Sequence, residues 1–259
     1  MKKKLFGILI LFCVVFVTGC AQKEEQTDTL DKILQRGKII VGVKYDTKPF
    51  GYIDQQKKLV GYDIDLAKAI AKSILGNENR VEFKQVTPSN RILALNSGKV
   101  DMVIATMTVT KQRSEVVEFS HPYYMAGQAI LVPRNSDISS MSDLNGKKVI
   151  IVFGSTAEKN LRLAVPDALI MGYKTYPSAY NALKSGKADA ITSDDTILIG
   201  FALQDKSVKL LPKRYSKEPY AIALSKEDSA KLKNKVDFII QNLASTGKLN
   251  QLKAKWIKY

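Results

Sequence analysis

Residues 94–101 read ALNSGKVD, and residues 182–189 read ALKSGKAD. Six of the eight letters agree, and the second copy begins 88 residues after the first. In each copy apolar residues, such as Leu93 and Leu95 in the first, run into a glycine, Gly98 or Gly186. A short apolar run follows, VDMVIATM in one and ADAIT in the other. A glycine after a helical pattern is the usual left-handed helix stop. Lys99 and Lys187 fall just past it, where the negative end of the helix dipole favours cations. An unbroken apolar run between breakers predicts a strand buried on both faces. The phrase is therefore helix, glycine turn and strand, which is half of a βαβ unit. Two copies this far apart restrict the chain to two similar α/β lobes rather than a short solenoid.

The rest of the chain fits that plan. Strands are expected at 38–43, 80–86, 128–133 and 218–225, and a helix at 61–76 stopped by Gly76. A further helix is expected over 110–119 from Thr110, with a turn-rich loop in YDTKPFGYID around Pro49 and Gly51. Amphipathic helices close the chain, and Trp256 is expected to pack one of them against its lobe. Because the chain passes between lobes twice, a two-stranded hinge is expected. Residues 30–126 and 218–259 form one lobe and 127–217 the other.

The first nineteen residues have three lysines, an apolar stretch from Leu5 to Val17 and small residues before a break. This is the pattern of a removed signal peptide, too short for a comfortable membrane span. VTGC resembles a bacterial lipobox, which implies cleavage before Cys20 and lipidation of its thiol. The alternative is an ordinary secretory peptide cut near Ala21. The only other cysteine, Cys13, lies in the removed segment, so no intramolecular disulfide or thiol metal site is expected. Residues 20–29 read as a polar, lipid-anchored linker. The formal charge of +15 includes Lys2, Lys3 and Lys4, which leave with the signal. The remaining lysines are scattered, so a solvated basic surface is expected and nucleic acid is not.

In open α/β sheets ligands lie beyond the C-terminal ends of strands, near helix N-termini. Three strand ends carry polar groups. In ATMTVTKQR, Thr110 is an N-cap that puts Arg113 in the first helical turn, where a cation opposes the dipole unless an anion lies beside it. The alternative is a surface pair with Glu115 or Glu118. In IVFGSTAEKN, Gly154, Ser155 and Thr156 form a strand-to-helix turn offering N–H groups, with Ser155 and Glu158 spaced as a capping box. In ADAITSDDT, Asp194 ends the repeated strand and could accept a cation, or cap a helix as Asp195 could. An arginine facing a carboxylate across a cleft suits a zwitterion, of which an α-amino acid is the simplest.

The stretches GVKYDTKPFGY, GYDIDLAKAIA, NRILALNSGKVDMVIATMTVTKQR, VEFSHPYY, GSTAEKNL and ADAITSDDTIL together resemble the polar amino-acid-binding proteins of ABC importers, solute-binding family 3. The resemblance implies a two-lobed type II periplasmic-binding-protein fold that closes on its ligand. It implies that Arg113 holds the α-carboxylate with Thr108 and the backbone near Thr106, that Thr156 joins it from the second lobe, and that Asp194 accepts the α-ammonium. It further implies that Lys44 and Arg91 meet a side-chain carboxylate, with Tyr176 beside them. Two cations favour glutamate or aspartate. Glutamine, and more distantly cystine or cysteine, are the alternative ligands. The implied partners are a free amino acid, a permease with its ATPase, and the membrane through lipid on Cys20, for a monomer without cofactor or metal. An enzyme of dehydratase type and a surface sensor or adhesin are the competing classes. His121, the sole histidine, has no nucleophile and acid arranged with it in sequence.

Overall fold

The computed structural model describes residues 27–257, so the signal peptide and Cys20 lie outside the described residues. Two five-stranded sheets carry the fold. In the first, Val81–Gln85, Ile39–Val43 and Met102–Val103 run parallel in that order, followed by Ala223–Leu224 and Glu118–Phe119. In the second, Leu169–Tyr173, Lys148–Val152 and Ala190–Asp194 run parallel, followed by Gln128–Pro133 and Val208–Leu210. The spatial order is the same in both. In each sheet the fourth place is taken by an antiparallel strand that enters from the other lobe. Between the sheets, Tyr124–Ala126 pairs antiparallel with Glu218–Tyr220 and forms a two-stranded hinge.

Each sheet is covered on both faces. Helices Tyr62–Leu75 and Ala230–Ser245 bury Ile70, Ala71, Leu232 and Val236 on one face of the first sheet, and Leu95 and Val117 pack on the other. Helix Tyr176–Lys184 covers one face of the second sheet and helix Ala157–Ala164 the other. Trp256 packs inward near the edge of Tyr52 and donates from Nε1 to Asp65 at 2.8 Å.

The repeated phrase forms the same object twice. Gly98 and Gly186 adopt φ of 69° and 70°. Gly98 N–H donates to Leu95 and Lys99 N–H to Ala94; Gly186 donates to Leu183 and Lys187 to Ala182. Both are Schellman stops with glycine in the left-handed position. The closing aspartate adds a second device. Asp101 Oδ2 accepts from the Ile40 N–H at 2.6 Å, and Asp189 Oδ2 accepts from the Lys148 N–H at 2.7 Å. Each acid thus fixes where the neighbouring central strand begins.

Several expected elements are shorter or broken. The helix expected over 110–119 is one turn, Lys111–Ser114, because the chain must then supply the edge strand Glu118–Phe119. The strand expected at 218–225 breaks after Tyr220, since its first half serves the hinge and its second half the sheet. The loop around Pro49 contains a small three-stranded sheet of Asp46–Thr47, Gly51–Ile53 and Leu59–Val60. Asp28 and Thr29, read as the end of a linker, instead cap and open helix Thr29–Arg36.

Asp101 is buried and also pairs with Arg36, whereas Asp189 is exposed. Replacing Asp101 by alanine should therefore cost about 1.5 to 3 kcal/mol, and replacing Asp189 only about 0.5 to 1.5 kcal/mol. Urea denaturation of the two variants checks this order.

Candidate functional site

Four chain exits meet between the lobes: Lys44 after Ile39–Val43, Thr106 and Thr108 after Met102–Val103, Gly154 to Thr156 after Lys148–Val152, and Asp194 at the end of Ala190–Asp194. A narrow, nearly filled cavity lies among them, lined by Pro88, Arg91, Thr106, Thr108, Arg113, Ser155, Thr156, Tyr176 and Asp194. Of the residues expected from the sequence, only Lys44 is missing from that wall. It is 1 % exposed and stands behind the Tyr176 ring, with Nζ 4.9 Å from the ring centroid and 3.3 Å from the Thr47 hydroxyl. Burial, opposed by Asp46, brings the Lys44 ammonium down to about 8. Lys44 is therefore a buried cation behind the cavity, not an exposed loop lysine.

The two arginines share an acceptor across the cleft. Arg113 donates from Nη1 to the Thr108 carbonyl at 2.7 Å and from Nη2 to the Gly154 carbonyl at 2.9 Å. Arg91, 2 % exposed, donates from Nη1 to the Ala105 and Thr106 carbonyls at 2.7 and 3.3 Å, and from Nη2 to Gly154 at 3.4 Å. Its Nε is buried without a hydrogen-bond partner. Burial, and then the neighbouring Arg113, bring the Arg91 guanidinium down to about 9. Thr110 caps the turn that carries Arg113, as expected, accepting from the Arg113 N–H at 3.2 Å. The side chain turns into the cleft rather than toward Glu115 or Glu118.

Asp194 lies at the N-cap position of helix Asp195–Ala202 but its carboxylate makes no capping bond. That work falls to Asp195, which accepts from the Thr196 N–H at 2.7 Å and pairs with Arg214 at 2.8 Å. Asp194 instead accepts from the Tyr220 hydroxyl at 2.5 Å. Burial raises it to about 7, reinforced by the nearby Glu218. The capping box expected at Ser155 and Glu158 does not form. Ser155 donates to the Val152 carbonyl at 2.7 Å, and Glu158 pairs with Arg162 at 2.9 Å. Tyr176 is held by its hydroxyl contact with Ser193 at 3.1 Å.

Sequence reasoning missed two buried carboxylates. Glu218, on the hinge, accepts from Thr156 and Asn160 at 2.9 Å each and from Ser216 at 2.6 Å. The Thr156 hydroxyl proton is therefore committed to Glu218, and the same oxygen accepts from Gln128 at 3.1 Å. Asp63 accepts from the Tyr123 hydroxyl at 2.9 Å and the Thr106 N–H at 3.2 Å. Its spacing to Ala67 and Ile70 was a legible sign, because it puts an acid on the apolar stripe of a helix. His121 is an exposed residue beside Asp237, 3.4 Å away, and lies outside the cavity.

The comparison with known families decides the affiliation. Residues 39–259 match the model of the bacterial extracellular solute-binding proteins, family 3. The chain belongs to that family. It is 40 % identical over 268 residues to the ABC transporter glutamine-binding protein of Bacillus subtilis, covering 99 % of this chain and 98 % of that one. It is 46 % identical over 238 residues to a glutamine-binding protein of Geobacillus stearothermophilus, covering 85 % and 91 %. Among solved structures, the cysteine-binding protein of Campylobacter jejuni superposes with a TM-score of 0.85 at 34 % identity, covering 89 % of this chain and 93 % of that one. The two-lobed fold expected from the sequence is the fold of these proteins.

Two glycines of the second lobe seat the lobes against each other. A Cβ on Gly154, at φ 80°, would stand 2.5 Å from the Pro88 carbonyl, and one on Gly200 would stand 2.6 Å from the Lys48 carbonyl. Gly200 lies within helix Asp195–Ala202, where alanine favours the helix by about 0.5 to 1 kcal/mol. Gly200→Ala should thus raise the melting temperature of the ligand-free protein when its lobes are apart, yet weaken ligand binding at least tenfold. Scanning calorimetry and titration calorimetry on the same sample read both signs.

Proposed function

We propose that this chain is the substrate-binding protein of an amino-acid ABC transporter and that its ligand is glutamine. The observation that carries the reading is the balance of charge around the cavity. Lys44, Arg91 and Arg113 are answered by Asp63, Asp194 and Glu218, all buried except the half-buried Arg113, and by Asp46 3.9 Å from Lys44, so no cation is left over. A zwitterion with an uncharged side chain keeps that balance. A second ligand carboxylate adds an uncompensated charge in a poorly solvated place, which is costly. The relatives named for glutamine support the same choice. Glutamate or aspartate rested on Lys44 and Arg91 meeting at one carboxylate, and Lys44 stands behind Tyr176 rather than on the wall.

In this reading Arg113 and the N–H of Thr156 bind the α-carboxylate beside Thr108. Asp194 accepts the α-ammonium. The Nε–H of Arg91 meets the side-chain amide oxygen next to Tyr176 and Thr106. Residues 30–126 with 218–259 and residues 127–217 act as the two jaws. Since both supply contacts, the ligand favours the closed arrangement by its differential affinity for it. The loaded protein then delivers the amino acid to a membrane permease driven by its ATPase. Among the described residues no helix is long and apolar enough to cross a membrane. Attachment through lipid on Cys20 rests on the lipobox-like VTGC. Mass spectrometry of the membrane-bound protein should find a lipid-modified Cys20 as its first residue, and an unmodified N-terminus would count against a lipid anchor.

Titration calorimetry should give glutamine an affinity at least tenfold above glutamate, aspartate, arginine and cysteine. Tighter binding of glutamate would overturn the choice of ligand. Arg113→Ala should lose at least a hundredfold for every amino acid. The ammonium needs Asp194 ionised, and with the lobes together and no ligand bound that carboxyl is raised to about 7. Below that pH binding must first expel a proton, so affinity should fall as pH drops from 7 to 5.5, by at most about tenfold per pH unit. A flat profile over that range would remove Asp194 from the ammonium role.

A further inference from the structure

Asp63 takes no part in the contacts assigned above, although it is a fully buried carboxylate within one residue of the cavity wall. An acid in the first turn of a helix ordinarily faces outward and meets the helix dipole in water. Asp63 faces inward. Its Oδ1 accepts from the Tyr123 hydroxyl and its Oδ2 from the Thr106 N–H.

Thr106 is the second half of the observation. It holds φ at 47°, in the left-handed region that residues other than glycine seldom occupy. Such a conformation persists only where surrounding contacts over-determine it, and it concentrates at ligand sites. Here the peptide N–H goes to Asp63 while the carbonyls of Ala105 and Thr106 accept from Arg91. One residue is gripped from one side by a buried carboxylate and from the other by a buried guanidinium. If the grip on the N–H is lost, the N–H is left buried and unsatisfied, and only the guanidinium is left to hold Thr106 left-handed. Its carbonyl then turns away from Arg91.

We infer that Asp63 is a positioning residue for Arg91: by holding Thr106 in its left-handed conformation it aims the two carbonyls that fix the guanidinium at the cavity wall. The inference rests on the reading of this cavity as an amino-acid site. It deepens that reading by naming what keeps the side-chain-sensing arginine in place. Tyr123 serves the same end, since its hydroxyl fixes the other oxygen of the carboxylate. The attraction between the Asp63 and Arg91 charges adds to the same alignment.

A double-mutant cycle tests it. Glutamine affinity is measured by titration calorimetry for the wild type, Asp63→Ala, Arg91→Ala and the double variant, with thermal melts to establish cooperative folding. Asp63→Ala should weaken binding at least tenfold, and the double variant should bind within about threefold of Arg91→Ala alone, because Asp63 acts through Arg91. A merely structural role would give losses that multiply, and that result overturns the inference, as does an Asp63→Ala protein that binds like the wild type. Should Asp63→Ala fail to melt cooperatively, the near-isosteric Asp63→Asn takes its place. Its smaller loss, at least threefold, should vanish in the Arg91→Ala background, and persistence there overturns the inference. A wild type that binds none of the twenty amino acids overturns the reading of the cavity and this inference with it. A wild type that binds glutamine beside an indifferent Asp63 variant overturns this inference alone.

Discussion

Charge held away from water is the constraint that organises this molecule. A buried ion costs several kcal/mol unless partners replace its hydration. The cavity between the lobes gathers arginine, lysine and carboxylate side chains in one place. The partners that make this tolerable come from many elements: the carbonyls of Ala105, Thr106, Thr108 and Gly154 for the arginines, the hydroxyls of Tyr123, Tyr220 and Thr156 for the acids. Most are backbone groups at strand exits, or side chains on the hinge. The parallel sheets matter because they deliver those exits to one place. With the lobes apart, water would have to replace the Gly154 carbonyl, which reaches both arginines only when the second lobe lies against the first.

The architecture was legible because it is written twice. A left-handed glycine has a sequence signature that survives without context, and Gly98 and Gly186 both sit where that signature puts them. The arginine at 113 and the acid at 194 were legible for a similar reason. Each is placed awkwardly for a bland role, one against a helix dipole and the other just past a buried strand. The aspartates that close the phrase were not read as strand anchors. That role depends on Ile40 and Lys148, which lie about 40 to 60 positions away in the chain, and no local pattern records such a pairing.

The misreadings share one physical source. Ser155 and Glu158 have the spacing of a capping box, yet the turn at Gly154 leaves the hydroxyl facing the Val152 carbonyl instead. Lys44, expected to meet a ligand carboxylate, stands behind the ring of Tyr176 beside the Thr47 hydroxyl. Thr106 gives no sign of a left-handed backbone in sequence, because the conformation is imposed by Asp63 and Arg91 from other elements. Local propensity sets each segment's default, and tertiary contacts overrule it where polar groups must be satisfied. Those places concentrate around the cavity.

The hinge links the two lobes through unlike anchors. Tyr124 and Tyr220, one on each hinge strand, pack edge-on against Phe50 with ring centroids 5.5 Å apart, which ties the hinge to the aromatic core of the first lobe. Glu218, two residues from Tyr220, ties it to Thr156 and Asn160 of the second lobe. The apolar anchor is non-directional and tolerates small rotations of the rings. The hydrogen-bonded anchor does not, since its donors must keep their angles. The same strand also carries the hydroxyl that Asp194 accepts. Groups on the second lobe's side of the cavity are thus tied to the hinge strand, and across the cavity the Gly154 carbonyl meets Arg91 and Arg113.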